Sequence, residues 1–294
     1  MISIDGKAKN RPVPWVERVP PHAFFVGSAI FHYLGPSFAV LLFARVPVGG
    51  VAWLRIVSAA LVFAIWRRPW HAFLAATRQA QWTMVALGGV FAAMNYCFYR
   101  AIAALPLGTV AAIEFAGPVA LALAGARSAR NLGALVLTVG GVWLLTEVRF
   151  GGAPQAFLWA FANAVLFTLY IILAHAVSRA DPATSPIDRL GAAMIIAGVA
   201  ISPLGFRDAA PALLDPVALG AGIAVGISSS VIPYVFDQMA MSRLPRSTYA
   251  LFVALLPATA VIVGIIVLRQ MPSTLEMLGV LLVASGVALH RPPA

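Results

Sequence analysis

The chain consists mostly of apolar runs of about 20 residues, the length a helix needs to cross a bilayer at ~1.5 Å rise per residue. They fall near 22–43, 48–66, 82–103, 107–126, 129–147, 154–178, 187–205, 216–242, 246–268 and 274–290. The longest connection between them, 67–81, is too short to house a soluble domain. Only 10% of the residues are charged, against about 25% in soluble domains, so the chain cannot cover a water-facing surface. These runs predict an all-α polytopic membrane protein with ten transmembrane helices. The span 216–242 is long enough to tilt or to break at Pro233.

A phrase repeats in the two halves. Leu105-Pro106 with Thr109 and Pro118 is matched by Leu244-Pro245 with Thr248 and Pro257. After each phrase comes a pair of glycines, Gly133 and Gly140 in the first half, Gly279 and Gly286 in the second. Each half holds five spans, an odd number, so the halves enter the membrane from opposite sides. Such inverted repeats recur in secondary transporters, with the substrate path where the halves meet. The expected organisation is a basic cytoplasmic tail over 1–21, a first five-helix repeat over 22–147 and a second over 154–290. Pro118 and Pro257, at matching places in the halves, are hinge candidates, and static bends at both are equally compatible with the sequence.

The net charge of +10 is mostly a matter of topology. With the N-terminus in the cytoplasm, fourteen of the twenty Lys and Arg residues fall on the inner side and four on the outer, leaving Arg55 and Arg100 within spans. This is the positive-inside pattern, with both termini cytoplasmic, and it argues against a nucleic-acid partner. The sole cysteine, Cys97, excludes an intramolecular disulfide and a cysteine-based metal cluster. No phosphate-binding loop, metal-ligand spacing or nucleophile elbow is present. No cofactor, metal or catalytic residue is therefore expected, and the protein reads as a non-enzyme.

Ionisable groups at membrane depth cost several kcal/mol and face a partner or a watery cavity. Arg55 and Glu114 lie about seven residues into the second and fourth spans, near 10 Å deep, with opposite charge. They suggest an ion pair, either a static bridge between helices or a cavity-facing pair broken by a zwitterionic substrate or a proton. Asp237, near the inner end of the eighth span, is a second acidic candidate, or snorkels to the interface beside Arg243. His32, mid-span, is able to carry a proton near neutral pH. Asn95 and Tyr99 share one face of the third span, and Asn163 and Tyr170 one face of the sixth. Ser228, Ser229, Ser230 and Tyr234 continue the polar content of the eighth. Any of these is also able to serve only as a bond between helices.

The stretch from Tyr99 to Phe115, with Leu105-Pro106, Thr109 and Ile113-Glu114-Phe115, followed by Gly117-Pro118, resembles the threonine/homoserine exporter branch of the EamA family, within the drug/metabolite transporter superfamily. The second half is similar in Ser230-Val231-Ile232-Pro233-Tyr234, Asp237-Gln238, Thr248-Tyr249-Ala250 and Leu256-Pro257-Ala258. Trp53-Leu54-Arg55 looks like the family's arginine-bearing second helix. The resemblance covers about residues 22–290. It implies two inverted five-helix halves around a central cavity, a bacterial inner membrane, and proton-coupled export of small neutral amino acids such as threonine and homoserine. The expected partners are thus an amino-acid substrate, protons and the lipid bilayer. An exporter of other metabolites or drugs on the same scaffold, and a non-transporting membrane assembly component, are the alternatives.

Overall fold

Prolines and short polar residues set where the helices begin. Pro20 precedes the first, and Pro21, Pro186 and Pro216 occupy first-turn positions, where a missing N–H costs nothing. Thr77, Ser185 and Asp215 cap other starts by accepting from backbone N–H groups of the first turn. Ser273 and Glu276 form a reciprocal capping box: Ser273 N–H donates to Glu276 Oε2 at 2.8 Å and Glu276 N–H to Ser273 Oγ at 3.2 Å.

The computed structural model describes residues 19–125, 128–149, 154–179, 185–241 and 256–289. Its helices are α1 (Pro21–Leu42), α2 (Val48–Arg67), a short α3 (Trp70–Ala75), α4 (Arg78–Ile102), α5 (Leu107–Gly125), α6 (Ala129–Arg149), α7 (Pro154–Arg179) and α8 (Pro186–Ala209). A 3-10 turn at Ala210–Leu214 leads into α9 (Pro216–Gly226), a π-helical turn (Ile227–Val231) and α10 (Ile232–Met241). The last two helices are α11 (Leu256–Leu268) and α12 (Thr274–Leu289). No strand occurs among the described residues. Among the described residues, six helices are long and apolar enough to cross a membrane, and shorter apolar helices accompany them, so the chain is a polytopic helical membrane protein. Their bounds follow the apolar runs within a few residues. The small helix α3, inside the 67–81 connection, is an apolar run of only six residues, too short to count as a span. The tail expected over 1–21 lies outside the described residues as far as residue 18, as does the start of the span expected at 246–268.

The pairs α2 with α8, α6 with α12, and α4 with α7 make the most extensive contacts. Side chains such as Ile65, Val165, Val199 and Ile266 point outward and are largely exposed, which in a bilayer means contact with lipid. Where α1 and α2 meet the α9–α10 rod, glycine makes the approach possible. A Cβ on Gly35 would lie 2.8 Å from both Cα and N of Ser229, and one on Gly226 would lie 2.7 Å from the Arg55 carbonyl oxygen. These contacts are backbone against backbone, so neither side can yield easily.

Gly226→Ala and Gly35→Ala are each expected to destabilise the protein by about 1–3 kcal/mol through overpacking. Gly220→Ala, on a face with nothing within 4 Å, should not lower the melting temperature. Thermal unfolding of the three variants in detergent checks this.

Candidate functional site

Proline 233 creates the local problem around which the buried polar layer forms. In an α-helix the Ser229 carbonyl accepts from the N–H of residue 233, and proline has none. The helix widens just before the proline: Ile232 N–H bonds to Ile227 O, five residues back, to make the π-helical turn. Such turns are frequent at functional positions. The Ser229 carbonyl finds its donor in Arg55 instead, whose Nη2 lies 3.0 Å away, while Arg55 Nε donates to Ser230 Oγ at 3.0 Å. Pro233's own carbonyl accepts from Ser28 Oγ at 3.2 Å. The guanidinium also stands 5.4 Å from the centre of the Tyr99 ring. Arg55 is only 5% exposed.

A second buried set faces it. Asn163 Nδ2 donates to Glu114 Oε1 at 3.1 Å, with Asn163 fully buried and Glu114 6% exposed. Gly117, one turn beyond Glu114, permits this approach of α5 to α7, since a Cβ there would meet the Ala164 carbonyl at 2.8 Å. Three buried polar atoms in this region make no hydrogen bond among the described residues: the hydroxyls of Tyr33 and Tyr99 and Oδ1 of Asn163. Arg55 and Ser229 lie beside the Tyr99 hydroxyl, and Tyr33 is within electrostatic reach of Glu114. Together α1, α2, α4, α5, α7 and the π-turn supply one cation, one carboxylate, one amide and two phenols.

The direct Arg55–Glu114 ion pair expected from matched depth does not form. Among the described residues the ion pairs are Arg67–Asp188, at 2.7 Å, and Arg45–Asp215, at 3.8 Å, both at helix ends. Each buried charge has a nearer neutral partner, Ser229–Ser230 for Arg55 and Asn163 for Glu114. Arg55 acts on Glu114 only through space. Of the other candidates, His32 stacks edge-on with Tyr33 at 5.3 Å, next to the layer. Asn95 donates to the Phe91 carbonyl of its own helix at 2.8 Å, a local bond. Tyr170 and Tyr234 each pack on Phe91, with ring centres 5.7 Å apart, one to two helical turns from Asn163 and Ser230. Arg100 sits over Trp159, the interfacial arrangement its place near a span end suggests. Pro257 is buried in α11. The side chains of Asp237 in α10 and Pro118 in α5 lie outside the described residues.

Two features escape a reading of the sequence. Tyr33 passes unnoticed beside His32, although a mid-span tyrosine always raises the question of its hydroxyl's partner. The four-residue offset of Ser229 and Pro233 was the available signal for the orphaned carbonyl. A cavity of about 370 Å³ also opens where the α4–α5 and α11–α12 connections meet, lined by Thr109, Gln270 and Glu276 among others. There Gln270 Oε1 accepts from Leu107 N–H at 3.1 Å and caps α5. No group of three His, Cys, Asp or Glu side chains able to hold a metal comes together among the described residues.

A bundle of membrane-crossing helices that buries separated opposite charges and unbonded hydroxyls at its centre has the build of a membrane transporter. Comparison with known proteins gives the same class. The profile of the EamA-like transporter family matches residues 154–290. Over 261 residues the chain is 31% identical to the threonine/homoserine exporter RhtA of Escherichia coli strain K12, covering 85% of each chain. The RhtA of Salmonella typhimurium strain LT2 is 31% identical over 252 residues, covering 83% of this chain and 82% of its own. The uncharacterized transporter YwfM of Bacillus subtilis strain 168 is 26% identical over 249 residues, 80% of each. A solved crystal structure at 18% identity superimposes with a TM-score of 0.57, covering 91% of this chain and 96% of its own, a likeness of fold. The chain belongs to the EamA-like transporter family, in its threonine/homoserine exporter branch. Its relatives are transporters, in keeping with the non-enzymatic reading.

Removing Asn163's amide leaves a buried carboxylate without its donor, so Asn163→Leu should cost about 1–3 kcal/mol of stability. Glu114→Gln keeps an acceptor for the same amide and should cost less. Melting temperatures of the two purified variants, compared with the parent, test that order.

Proposed function

We propose that this protein exports small neutral amino acids, of the threonine and homoserine kind, from the cytoplasm across a bacterial inner membrane by alternating access coupled to the proton gradient. The observation that carries the reading is the separation of Arg55 from Glu114. Two opposite charges buried in one layer, each held by neutral groups, leave a cation for a carboxylate and an anion for an ammonium. Asn163 Oδ1 and the hydroxyls of Tyr33 and Tyr99 are suited to the remaining polar groups of a hydroxylated amino acid. The name borne by the relatives at 31% identity supports this cargo.

In this reading the protein has ten crossings in two inverted halves, 22–147 and 154–290, with residues 1–21 as a cytoplasmic tail and both termini inside. The helix neighbours support it. Exchanging the halves maps α4–α7 onto α10–α1, α4–α8 onto α9–α2, and α5–α7 onto α11–α1, and leaves α2–α8, α6–α12 and α5–α11 paired with themselves. Pro118 and Pro257 would then serve as equivalent hinges. The cavity opens inward, Glu114 or Asp237 exchanges a proton as substrate enters, and Arg55 takes the substrate carboxylate. Rocking of the halves then opens the site outward.

Proteoliposomes loaded with threonine, homoserine, phenylalanine or a cationic dye, assayed with and without an imposed proton gradient, test the proposal. Gradient-dependent efflux of threonine and homoserine is expected, and efflux of dye or phenylalanine alone would discard the cargo. A hydrogen bond to a charge is worth roughly 1.5–3 kcal/mol, so Arg55→Gln should weaken threonine transport about ten- to hundredfold. Full pH-dependent transport in both Glu114→Gln and Asp237→Asn would remove the proton assignment.

A further inference from the structure

The wide turn at 227–231 does more than accommodate Pro233, because it fixes which edge of a guanidinium remains available. A guanidinium is a planar fork whose donors have fixed directions, and a carboxylate binds best across two of them. Here Nε donates to Ser230 Oγ and Nη2 to the Ser229 carbonyl, so the edge shared by these two nitrogens faces the turn. The Tyr99 ring stands over the group at 5.4 Å. Nη1 takes no part in either bond to the turn. Both contacts to the turn trace to sequence: the serine hydroxyl to Ser230, and the free carbonyl to the missing N–H of Pro233. Gly226 and Gly35 bring the turn close enough for both.

From this geometry we infer that Ser230 and Pro233 are positioning residues, which hold the Arg55 guanidinium so that its Nη1 end receives the α-carboxylate of the exported amino acid. The inference rests on the assignment of that carboxylate to Arg55 and adds how the arginine is aimed. It also gives the site a reason to prefer an amino acid over the corresponding amine or amino alcohol. An aimed fork rewards a planar carboxylate with two bonds, whereas a freely turning guanidinium would not distinguish it sharply from a hydroxyl. With an alanine at 233 the Ser229 carbonyl would regain its helical donor, and Nη2 would lose the acceptor that orients it.

The test is threonine counterflow in proteoliposomes, with KM and Vmax measured for the parent, Ser230→Ala, Ser230→Thr, Pro233→Ala and Arg55→Gln. Inhibition by threonine's amino alcohol, in which the carboxylate is reduced to a hydroxymethyl group, is measured alongside, and a melting curve of each variant verifies folding. Loss of one charge-assisted bond corresponds to about a tenfold rise in threonine KM for Ser230→Ala and for Pro233→Ala. Vmax should stay within about twofold, the mark of lost binding rather than lost turnover. Inhibition by the amino alcohol should not change, and Ser230→Thr, which restores the hydroxyl, should return KM close to the parent value. A fall in Vmax at constant KM, equal weakening of threonine and amino alcohol, or no rescue by threonine at 230 would overturn the positioning role. If Arg55→Gln alone raises threonine KM, the carboxylate assignment stands and the positioning inference falls. If Arg55→Gln leaves KM unchanged, the assignment falls and the inference with it.

Discussion

A single backbone carbonyl, that of Ser229, organises the buried layer. Within a bilayer an unsatisfied carbonyl has no water to turn to, and each such group costs several kcal/mol. Proline at 233 removes its helical donor, and Arg55 on the adjacent helix α2 supplies another. The arginine in turn needs acceptors, because a guanidinium in hydrocarbon is costlier still. Each group thus resolves the other's problem, and the charge survives without a carboxylate next to it. That leaves Glu114 to be held by an amide rather than by Arg55, which keeps the two charges apart.

The arrangement depends on how closely the helices approach. Arg55, Glu114 and their hydrogen-bond partners sit on four different stretches of chain, and the bonds between them span 49 to 175 residues. Without lipid-excluding pressure of the kind water provides, helices in a bilayer come together through shape, and small residues decide where they can touch. Gly35, Gly226 and Gly117 lie at the contacts that bring serine to arginine and asparagine to glutamate. Packing and polar chemistry are therefore one design, in which a methyl group added at the wrong helix crossing separates a donor from its acceptor.

Much of the fold was legible because lipid imposes a simple rule on sequence. Apolar runs of fixed length gave the helices, and the proline in the eighth run gave its irregularity. Arg55 and Glu114 stood out as ionisable groups in those runs, and both are buried. Their pairing was not legible. Depth along a helix can be counted from sequence, but rotation about the axis and the neighbours across a gap cannot, and matched depth alone suggested a bond that the neighbouring serines and Asn163 pre-empt. Tyr33 was hidden for a related reason, since a tyrosine is at home in a span until its hydroxyl is known to lack a partner. The capping of α5 by Gln270, 163 residues away, belongs to tertiary structure and left no local trace.

That last contact bears on how the protein is made. Chains enter the membrane from the N-terminus as they are synthesised, so α5 must be inserted long before Gln270 exists. Until the connection between α11 and α12 is complete, the first turn of α5 lacks its side-chain cap and must rely on water or lipid headgroups for the Leu107 N–H. The first turn of α5 therefore waits for a residue translated 163 positions after it.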